Sequence, residues 1–286
     1  MSACTTDSKK ESNSESMSAC AIAKPEAPER QGWWEDIPLY GDVESVVVAE
    51  YKLEEKFGEV VRGDIVHSGK YYFNKAGDVI EWVMYRSYSS LDEKKVYKYD
   101  TSGNMIEKAS YWSDSSLRGK YIYKYDASGN MIEEAEYWSD GSLGYKLFYK
   151  YDASGNMIEE AKYNPDGSFW YKLIYKYDAS GNMIERAYYN SDGSLDGKFI
   201  YKYDDSGNMI EEADYNSDGL LWDKYIYKYD ASGNMIEKAF YNSDGSLDWK
   251  RIYKYDALGN LIEKSKYSSE ALLPDYQTVY EITYRK

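Results

Sequence analysis

The sequence predicts an all-β protein of tandem 26-residue β-hairpins, with no substantial helix. We expect them to form a long, coiled antiparallel meander, either a single layer or an open spiral. Three observations predict this fold: an 11-residue stretch recurs, Tyr and Ile alternate with Lys at a period of two, and a glycine-containing turn follows each strand. One copy of the stretch is YKYDASGNMIE, at 123–133. Its aspartate recurs every 26 residues, at Asp100, Asp126, Asp152, Asp178, Asp204, Asp230 and Asp256.

Departures from the repeat divide the chain into four parts. Residues 1–32 are polar, with no periodic apolar pattern, which predicts a disordered tail. Residues 33–70 have strand character without the period and are predicted to be a divergent N-terminal cap. Residues 71–278 hold the hairpin repeats, and 279–286 are predicted to be a closing strand. Atypical ends are typical of stacked repeats, because a terminal unit must cover an open sheet edge.

The turns predict the pairing of the strands. Asp-Ala-Ser-Gly at 126–129 and Asn-Ser-Asp-Gly at 190–193 suit three-residue hairpin loops, with glycine in the left-handed conformation. Asp126 should then pair with Asn130, and Trp138 with Ser142. This pairing slips by two residues per hairpin, which tilts the strands by about 35°.

The same pairing sorts the side chains between two faces. A tyrosine face should be the concave or packed side: Tyr121, Tyr123, Tyr125, Met131, Glu133, Ala135 and Tyr137. The other face should be solvated and crossed by Lys–Glu pairs: Lys120, Ile122, Lys124, Ile132, Glu134 and Glu136. Glu133 recurs in every unit. Either it accepts hydrogen bonds from tyrosine or lysine, or it belongs to an acidic ladder for cations.

Composition excludes several functions. The net charge of −15 disfavours nucleic acid as a partner. The chain has one histidine, no Cys/His cluster and no phosphate-binding glycine loop, so we expect neither an enzyme nor a metal site nor a cofactor. Thirty-five tyrosines favour a broad, partly wetted surface over a deep apolar core.

Both cysteines lie in the N-terminal tail. Each ends the same four letters, MSAC, at Cys4 and Cys20. This resembles the lipobox of bacterial lipoproteins, which implies that Cys4 is lipidated and that the polar residues after it form a tether. No charged or apolar signal region precedes either cysteine, so a plain disordered tail is the alternative. Contact with a membrane is expected only through this anchor.

The tandem YxYDxxGN units resemble the YD repeats of bacterial RHS-type proteins and, more distantly, the hairpin repeats of MORN-variant proteins. The resemblance covers about residues 71–263. In RHS proteins such hairpins form a spiralling sheet that wraps a shell around a toxin domain. The resemblance therefore implies a spiral of hairpins and a bacterial setting, often at the cell envelope. About eight clear units are too few for a large shell, and no toxin segment follows them.

A few columns of the repeat vary in charge and bulk while their neighbours stay fixed. Either these are exposed positions where any residue is tolerated, or they form a modular recognition surface for glycans or proteins. On the second interpretation the candidate ligand-binding residues are Trp112, Trp138, Glu136, Lys162, Trp170, Tyr188, Trp222, Phe240 and Trp249. We therefore expect a non-enzymatic binding or scaffolding protein outside the cytoplasm, in the cell envelope or extracellular. The alternatives are a structural, self-assembling surface element and an accessory or shell fragment of a toxin system.

Overall fold

The computed structural model describes residues 39–86, 90–269, 271 and 273–285. Over these residues the chain is all-β, and they include no helix that could span a membrane. The predicted tail, residues 1–32 with Cys4 and Cys20, lies outside the described residues. The strands are β1 (Val43–Lys56), β2 (Glu59–Phe73), β3 (Val79–Arg86), β4 (Ser90–Tyr99), β5 (Met105–Trp112), β6 (Leu117–Tyr125), β7 (Met131–Trp138), β8 (Leu143–Tyr151), β9 (Met157–Tyr163), β10 (Phe169–Tyr177), β11 (Met183–Tyr189), β12 (Leu195–Tyr203), β13 (Met209–Asn216), β14 (Leu221–Tyr229), β15 (Met235–Asn242), β16 (Leu247–Tyr255), β17 (Leu261–Ser268) and β18 (Tyr276–Tyr284).

The sheet closes into a barrel, so the expected open meander or spiral is wrong. Each strand pairs antiparallel with the next, and β1 also pairs with β18, from Val43 opposite Tyr284 to Lys52 opposite Tyr276. β1 and β18 therefore cover each other's edges. The physical reason is the strand tilt, which curls the sheet until its two edge strands meet.

The predicted slip between hairpins is confirmed. Glu134 on β7 lies opposite Tyr123 on β6 and opposite Leu147 on β8. Leu147 corresponds to Tyr121 one repeat earlier, which is two residues from Tyr123. The tilt of about 35° that follows from this slip is typical of barrels.

The assignment of side chains to faces was wrong on the return strand, because each turn is followed by a β-bulge. The predicted turn bonds are present: the Asp126 amide donates to the Asn130 carbonyl and the Trp138 amide to the Ser142 carbonyl, both at 2.9 Å. Beyond the turn, however, Tyr125 pairs with Met131 and Lys124 pairs with Glu133. Ile132 is therefore an extra residue, and every later side chain of the strand changes face.

With the bulge, the tyrosine face carries Glu134 and Glu136 in place of Glu133. This face lies inside the barrel. Its tyrosines are buried from Tyr97 on β4 across the β1–β18 seam to Tyr253 on β16, as expected where a curved sheet brings side chains together. We call it the inner face: Tyr121, Tyr123, Tyr125, Met131, Glu134, Glu136, Gly119 and their equivalents. The outer face is Lys120, Ile122, Lys124, Glu133, Ala135, Tyr137 and their equivalents.

The repeated letters of the turn and of Tyr125 are explained by hydrogen bonds. The Asp126 carboxylate accepts the backbone amides of Ser128 and Asn130 at 2.8 and 2.9 Å, and Gly129 takes a φ of 87°. The Tyr125 hydroxyl donates to the Met105 carbonyl of the preceding repeat at 2.7 Å. The corresponding tyrosine of each repeat, the first being Tyr99 and the last Tyr255, donates an equivalent bond. These bonds link each repeat to the one before it.

The seam is held by groups from both ends of the chain. Asn260 is fully buried and exchanges hydrogen bonds with the backbone of Tyr40, and its side-chain amide also donates to the Tyr284 hydroxyl at 2.9 Å. The Arg285 guanidinium contacts Asp42 and the Phe73 carbonyl. These contacts join β1, β2, β17 and β18 at one end of the barrel.

Candidate functional site

The outer face is nearly identical in every repeat. Between β4 and β17, three columns are wholly lysine, lysine and tyrosine, a fourth is wholly glutamate, and the remaining two hold Ile, Val or Phe and Ala or Ser. Glu133 shows why. Its carboxylate lies 2.9 Å from the ammonium of Lys124 and 3.0 Å from that of Lys146, and these two lysines belong to the two neighbouring strands. Equivalent pairs include Lys98–Glu107, Lys150–Glu159, Lys202–Glu211 and Lys254–Glu263.

The role of the recurrent glutamate follows from these pairs. Glu133 lies on the outer face beside lysines, not among tyrosines as the sequence suggested. Burial opposes its ionisation, but the hydrogen bonds and charges of Lys124 and Lys146 outweigh burial and lower the pKa of Glu133. Each such glutamate therefore stabilises the contact between adjacent strands.

The inner face varies in four columns. The Tyr123 and Tyr125 columns are constant, and the Met131 column changes only at Leu261. The Gly119 column reads Glu93, Gly119, Tyr145, Tyr171, Gly197, Asp223 and Trp249, and the Tyr121 column reads Lys95, Tyr121, Leu147, Leu173, Phe199, Tyr225 and Arg251. The Glu134 column reads Lys108, Glu134, Glu160, Arg186, Glu212, Lys238 and Lys264, and the Glu136 column reads Ser110, Glu136, Lys162, Tyr188, Asp214, Phe240 and Lys266.

The structure brings the nine predicted ligand-binding residues to the inner face or to one end of the barrel. Glu136, Lys162, Tyr188, Phe240 and Trp249 lie on the inner face. The four remaining tryptophans lie at or beside the turns that begin with Asn or Trp and have Asp at the third position, at the end of the barrel that we call the mouth. They are exposed by 47–67%: Trp112, Trp138, Trp170 and Trp222.

One group of inner contacts surrounds Lys162. Its ammonium lies 3.6 Å from the centre of the Tyr145 ring and 4.5 Å from that of Trp170. Next to it, Tyr171 stacks on Tyr188 with ring centres 4.9 Å apart. The Tyr145 hydroxyl donates to Glu134 at 3.1 Å. Burial raises the pKa of Glu134, so this carboxylate ionises less readily than the outer Glu133.

A second group follows around β11–β14. Asp214 lies directly opposite Asp223, and burial, together with the charge of Asp223, raises the pKa of Asp214. The Arg186 guanidinium lies 4.3 Å over the Phe199 ring, and its buried Nε has no hydrogen-bond partner among the described residues. Among those residues, no set of three or more His, Cys, Asp or Glu side chains is arranged to hold a metal ion.

The third group, on β14–β17, combines stacked rings with cations. Phe240 and Trp249 are nearly parallel, with an interplanar angle of 16° and ring centres 5.8 Å apart. Tyr225 lies against both rings. The Lys238 ammonium is 4.4 Å from the Tyr225 ring centre, and the Arg251 guanidinium is 4.7 Å from that of Trp249. We call this group, with Lys264 and Lys266 on β17, the basic sector.

Sequence reasoning missed several inner residues, including Glu134, Arg186, Tyr225, Lys238 and Arg251. The signal was present, because the Glu134 and Tyr121 columns vary as widely as those that were singled out. Without the bulge, the Glu134 column is assigned to the solvated face and the Tyr121 column to the opposite one, so that their shared position on one face is not apparent. What the inner face offers chemically is ring faces, charged groups and hydroxyl donors, which suits binding.

No protein-family model matches the chain, and no curated protein matches it. Among solved structures, a porin-like protein from Bacteroides uniformis is 9% identical with a TM-score of 0.45, covering 84% of this chain and 98% of that one. The Tc holotoxin pore of Photorhabdus luminescens is 14% identical with a TM-score of 0.30, covering 85% of this chain and 16% of that one. A protein of unknown function from Bacteroides fragilis is 13% identical with a TM-score of 0.21, covering 52% and 92%. At TM-scores below 0.5 none of these similarities assigns a family or a function.

Proposed function

We propose that the protein is a non-enzymatic binding or scaffolding protein outside the cytoplasm, and that its ligand, a glycan or a protein, contacts the variable side chains of the inner face and the mouth. The observation that carries this proposal is the segregation of variation between the two faces. Repeats with nearly identical outer columns differ at four inner columns in charge, size and aromatic character.

Tolerance of surface substitutions does not explain this segregation. Substitutions are tolerated most readily where side chains are exposed. The outer Lys124 is 58% exposed, yet its column is invariant. The inner Tyr188 and Phe240 are only partly exposed, yet their column holds seven side chains of six types. Variation at partly buried inner positions, beside invariant exposed outer ones, favours selection for different contacts in different repeats.

Closure of the sheet also determines which surfaces are available for binding. A closed barrel has no free strand edge, so a ligand cannot add as an extra strand and must contact side chains. The same closure leaves no edge from which a larger shell could continue, which disfavours the shell-fragment alternative. The outer face carries a Lys–Glu pair in nearly every repeat, whereas lipid-facing strands are apolar, so the proposal places the outer face in water.

Binding can be tested with a glycan array and with pull-down on the full chain. Replacing Trp170, Tyr188 and Trp222 together by alanine should abolish or strongly weaken the interactions detected, because aromatic residues dominate such contacts. A matched control replaces Ile158, Ile184 and Ile210, each 37% exposed and close to the turns at the opposite end. If the aromatic triple variant keeps every interaction of the parent, the proposal is wrong and a structural role is favoured.

A further inference from the structure

The basic sector is unusual in a chain whose net charge is −15. Four cations follow one another on the inner faces of β15–β17, namely Lys238, Arg251, Lys264 and Lys266. On one side, the inner carboxylates of β13 and β14 lie next to Lys238 on β15, and burial raises the pKa of Asp214 and Asp223 there. On the other side, Glu50 of β1 lies in register with Thr278 of β18 and Lys264. The interior of the barrel therefore has a cationic surface beside a carboxylate-bearing one.

Inner and outer cations also differ in their contacts. On the same strand β16, the outer Lys254 pairs with Glu263 at 2.7 Å. The inner Arg251 instead lies over Trp249, and the Lys266 ammonium is 5.8 Å from the same ring centre. Within the described part of the chain, the side chains of Arg251 and Lys266 form no ion pair and no hydrogen bond. A ring face attracts a cation but does not satisfy its N–H donors, so these donors remain available for an anion.

The rings beside these cations indicate the rest of the ligand. Phe240 and Trp249 are partly exposed, and they present neighbouring, nearly parallel surfaces. Aromatic faces suit the apolar side of a sugar ring, while a guanidinium fork matches carboxylate and sulfate groups. An extended peptide gains much of its affinity from backbone bonds to a strand edge, and the closed sheet offers none.

We propose that the basic sector binds an acidic oligosaccharide, with its carboxylate or sulfate groups at Arg251 and Lys266 and its sugar rings against Phe240 and Trp249. The inference rests on the proposed function and specifies the ligand class for one part of the inner face. A uronic-acid polymer and a sulfated glycan share this chemistry, and the test separates them.

The test is a calorimetric titration of the full chain with four probes of matched length. They are a hexagalacturonate, a heparin-derived hexasaccharide, neutral maltohexaose and a hexaglutamate peptide. We expect one of the two acidic saccharides to bind, to weaken with added salt, and to bind at least tenfold more tightly than the neutral and peptide probes. Arg251→Gln and Trp249→Ala should each weaken binding by about tenfold or more.

Lys254→Gln is the matched control, because it removes the same charge from the outer side of the same strand. It should leave binding unchanged, and circular dichroism should show that all three variants are folded. Equal binding of maltohexaose or hexaglutamate, or equal effects of Arg251→Gln and Lys254→Gln, would overturn the inference. If a neutral glycan or a protein binds and is lost in the variant with Trp170, Tyr188 and Trp222 replaced, the inference fails while the proposed function stands. If no glycan or protein binds, both fail.

Discussion

The two faces of the barrel are made by the same strands, yet they follow opposite rules. On the outer face, each repeat presents the same lysines, glutamate and tyrosine, and adjacent repeats join through Lys124–Glu133–Lys146 contacts. On the inner face, the Tyr123 and Tyr125 columns are constant, whereas the Gly119, Tyr121, Glu134 and Glu136 columns differ from repeat to repeat. The difference teaches that invariant contacts hold neighbouring repeats together, namely the outer Lys–Glu pairs and the inner Tyr123 and Tyr125 columns, while the other inner columns are free to diversify.

The sheet has an inner and an outer face only because it is closed, and an open sheet would have neither. Cysteines at Val47 and Glu281, which lie opposite each other on β1 and β18, should form an intramolecular disulfide in a background with Cys4→Ser and Cys20→Ser. In an open spiral these residues, more than 230 positions apart in the chain, would not meet. Non-reducing electrophoresis and peptide mass spectrometry measure the crosslink.

A second cysteine pair, at Lys124 and Glu133, is the control for this experiment. These residues lie opposite each other within one hairpin, so they should crosslink whether the sheet is closed or open. Crosslinking of the control pair without crosslinking of the seam pair would refute the barrel.

Tyrosines on the two faces should contribute unequally to stability. Tyr227, on the inner face, is 7% exposed, and its hydroxyl donates to Glu212 at 2.8 Å. Tyr227→Ala should lower the free energy of unfolding by about 3–5 kcal/mol, because it leaves a cavity and removes a donor from a carboxylate. Tyr241→Ala on the outer face should cost about 1–2 kcal/mol, since that ring is only partly buried. Urea unfolding of both variants tests this, and equal losses would contradict the burial difference.

Neighbouring glutamates on the two faces should respond to pH with opposite signs. The pKa of Glu133 is lowered in the folded state, so its ionised form stabilises the protein above the unfolded pKa and this contribution is lost as pH falls through the folded pKa. Burial raises the pKa of Glu134, so ionisation costs stability, and the cost is absent at low pH and develops as pH rises through the folded pKa.

The matching variants are Glu133→Gln and Glu134→Gln, compared with the parent by urea unfolding between pH 3 and 8. Glu133→Gln should be destabilised at pH 7 by about 0.5–1 kcal/mol, with the loss shrinking in acid. Glu134→Gln should be at least as stable as the parent at pH 7, and its difference from the parent should also shrink in acid. The same sign for both variants at pH 7 would show that the two carboxylates share one environment.

Much of the fold follows from local sequence, and the part that does not has a physical reason. The strand period, the Asp126 turn and the two-residue slip are each specified within a few residues, and the structure confirms them. The bulge at Ile132 adds one residue without changing the pattern of letters, so the faces of the return strand could not be derived from alternation alone. Closure depends on the accumulated tilt of all the hairpins and on the fit of β1 to β18, which no single repeat encodes.

The candidate site shows the same limit. The tryptophans and the Glu136 column stand out because their composition varies, and that signal needs no structure. Placing Arg251 beside Trp249 is different, because it requires knowing that both residues of β16 point inward and that the strand is part of a closed wall. The sequence therefore indicates which columns are variable, while the grouping of rings with cations depends on the register.

The turns belong to neither face, so a substitution there should change stability without affecting inner or outer contacts. The turns at 164–167 and 190–193 have the same two backbone hydrogen bonds. In each, the asparagine amide donates to the carbonyl of the serine after the turn, Ser168 or Ser194, and the glycine amide donates to the asparagine carbonyl. The second position is Pro165 in one and Ser191 in the other. Ser191→Pro should raise the free energy of unfolding by about 0.4–1 kcal/mol, because it restricts the unfolded chain at a position that already accepts proline.

The control for this substitution uses the other turn type. The backbone amide of Ser180 donates to the Asp178 carboxylate at 2.8 Å, so Ser180→Pro removes a bond and should destabilise the protein. Thermal unfolding of the two variants at equal protein concentration distinguishes them. Stabilisation by Ser180→Pro, or destabilisation by Ser191→Pro, would show that the hydrogen bonds of the turn do not set its tolerance of proline. The expected outcome, a gain at one turn and a loss at the other with ligand binding unchanged in both, would separate the stability of the repeat from the chemistry of its inner face.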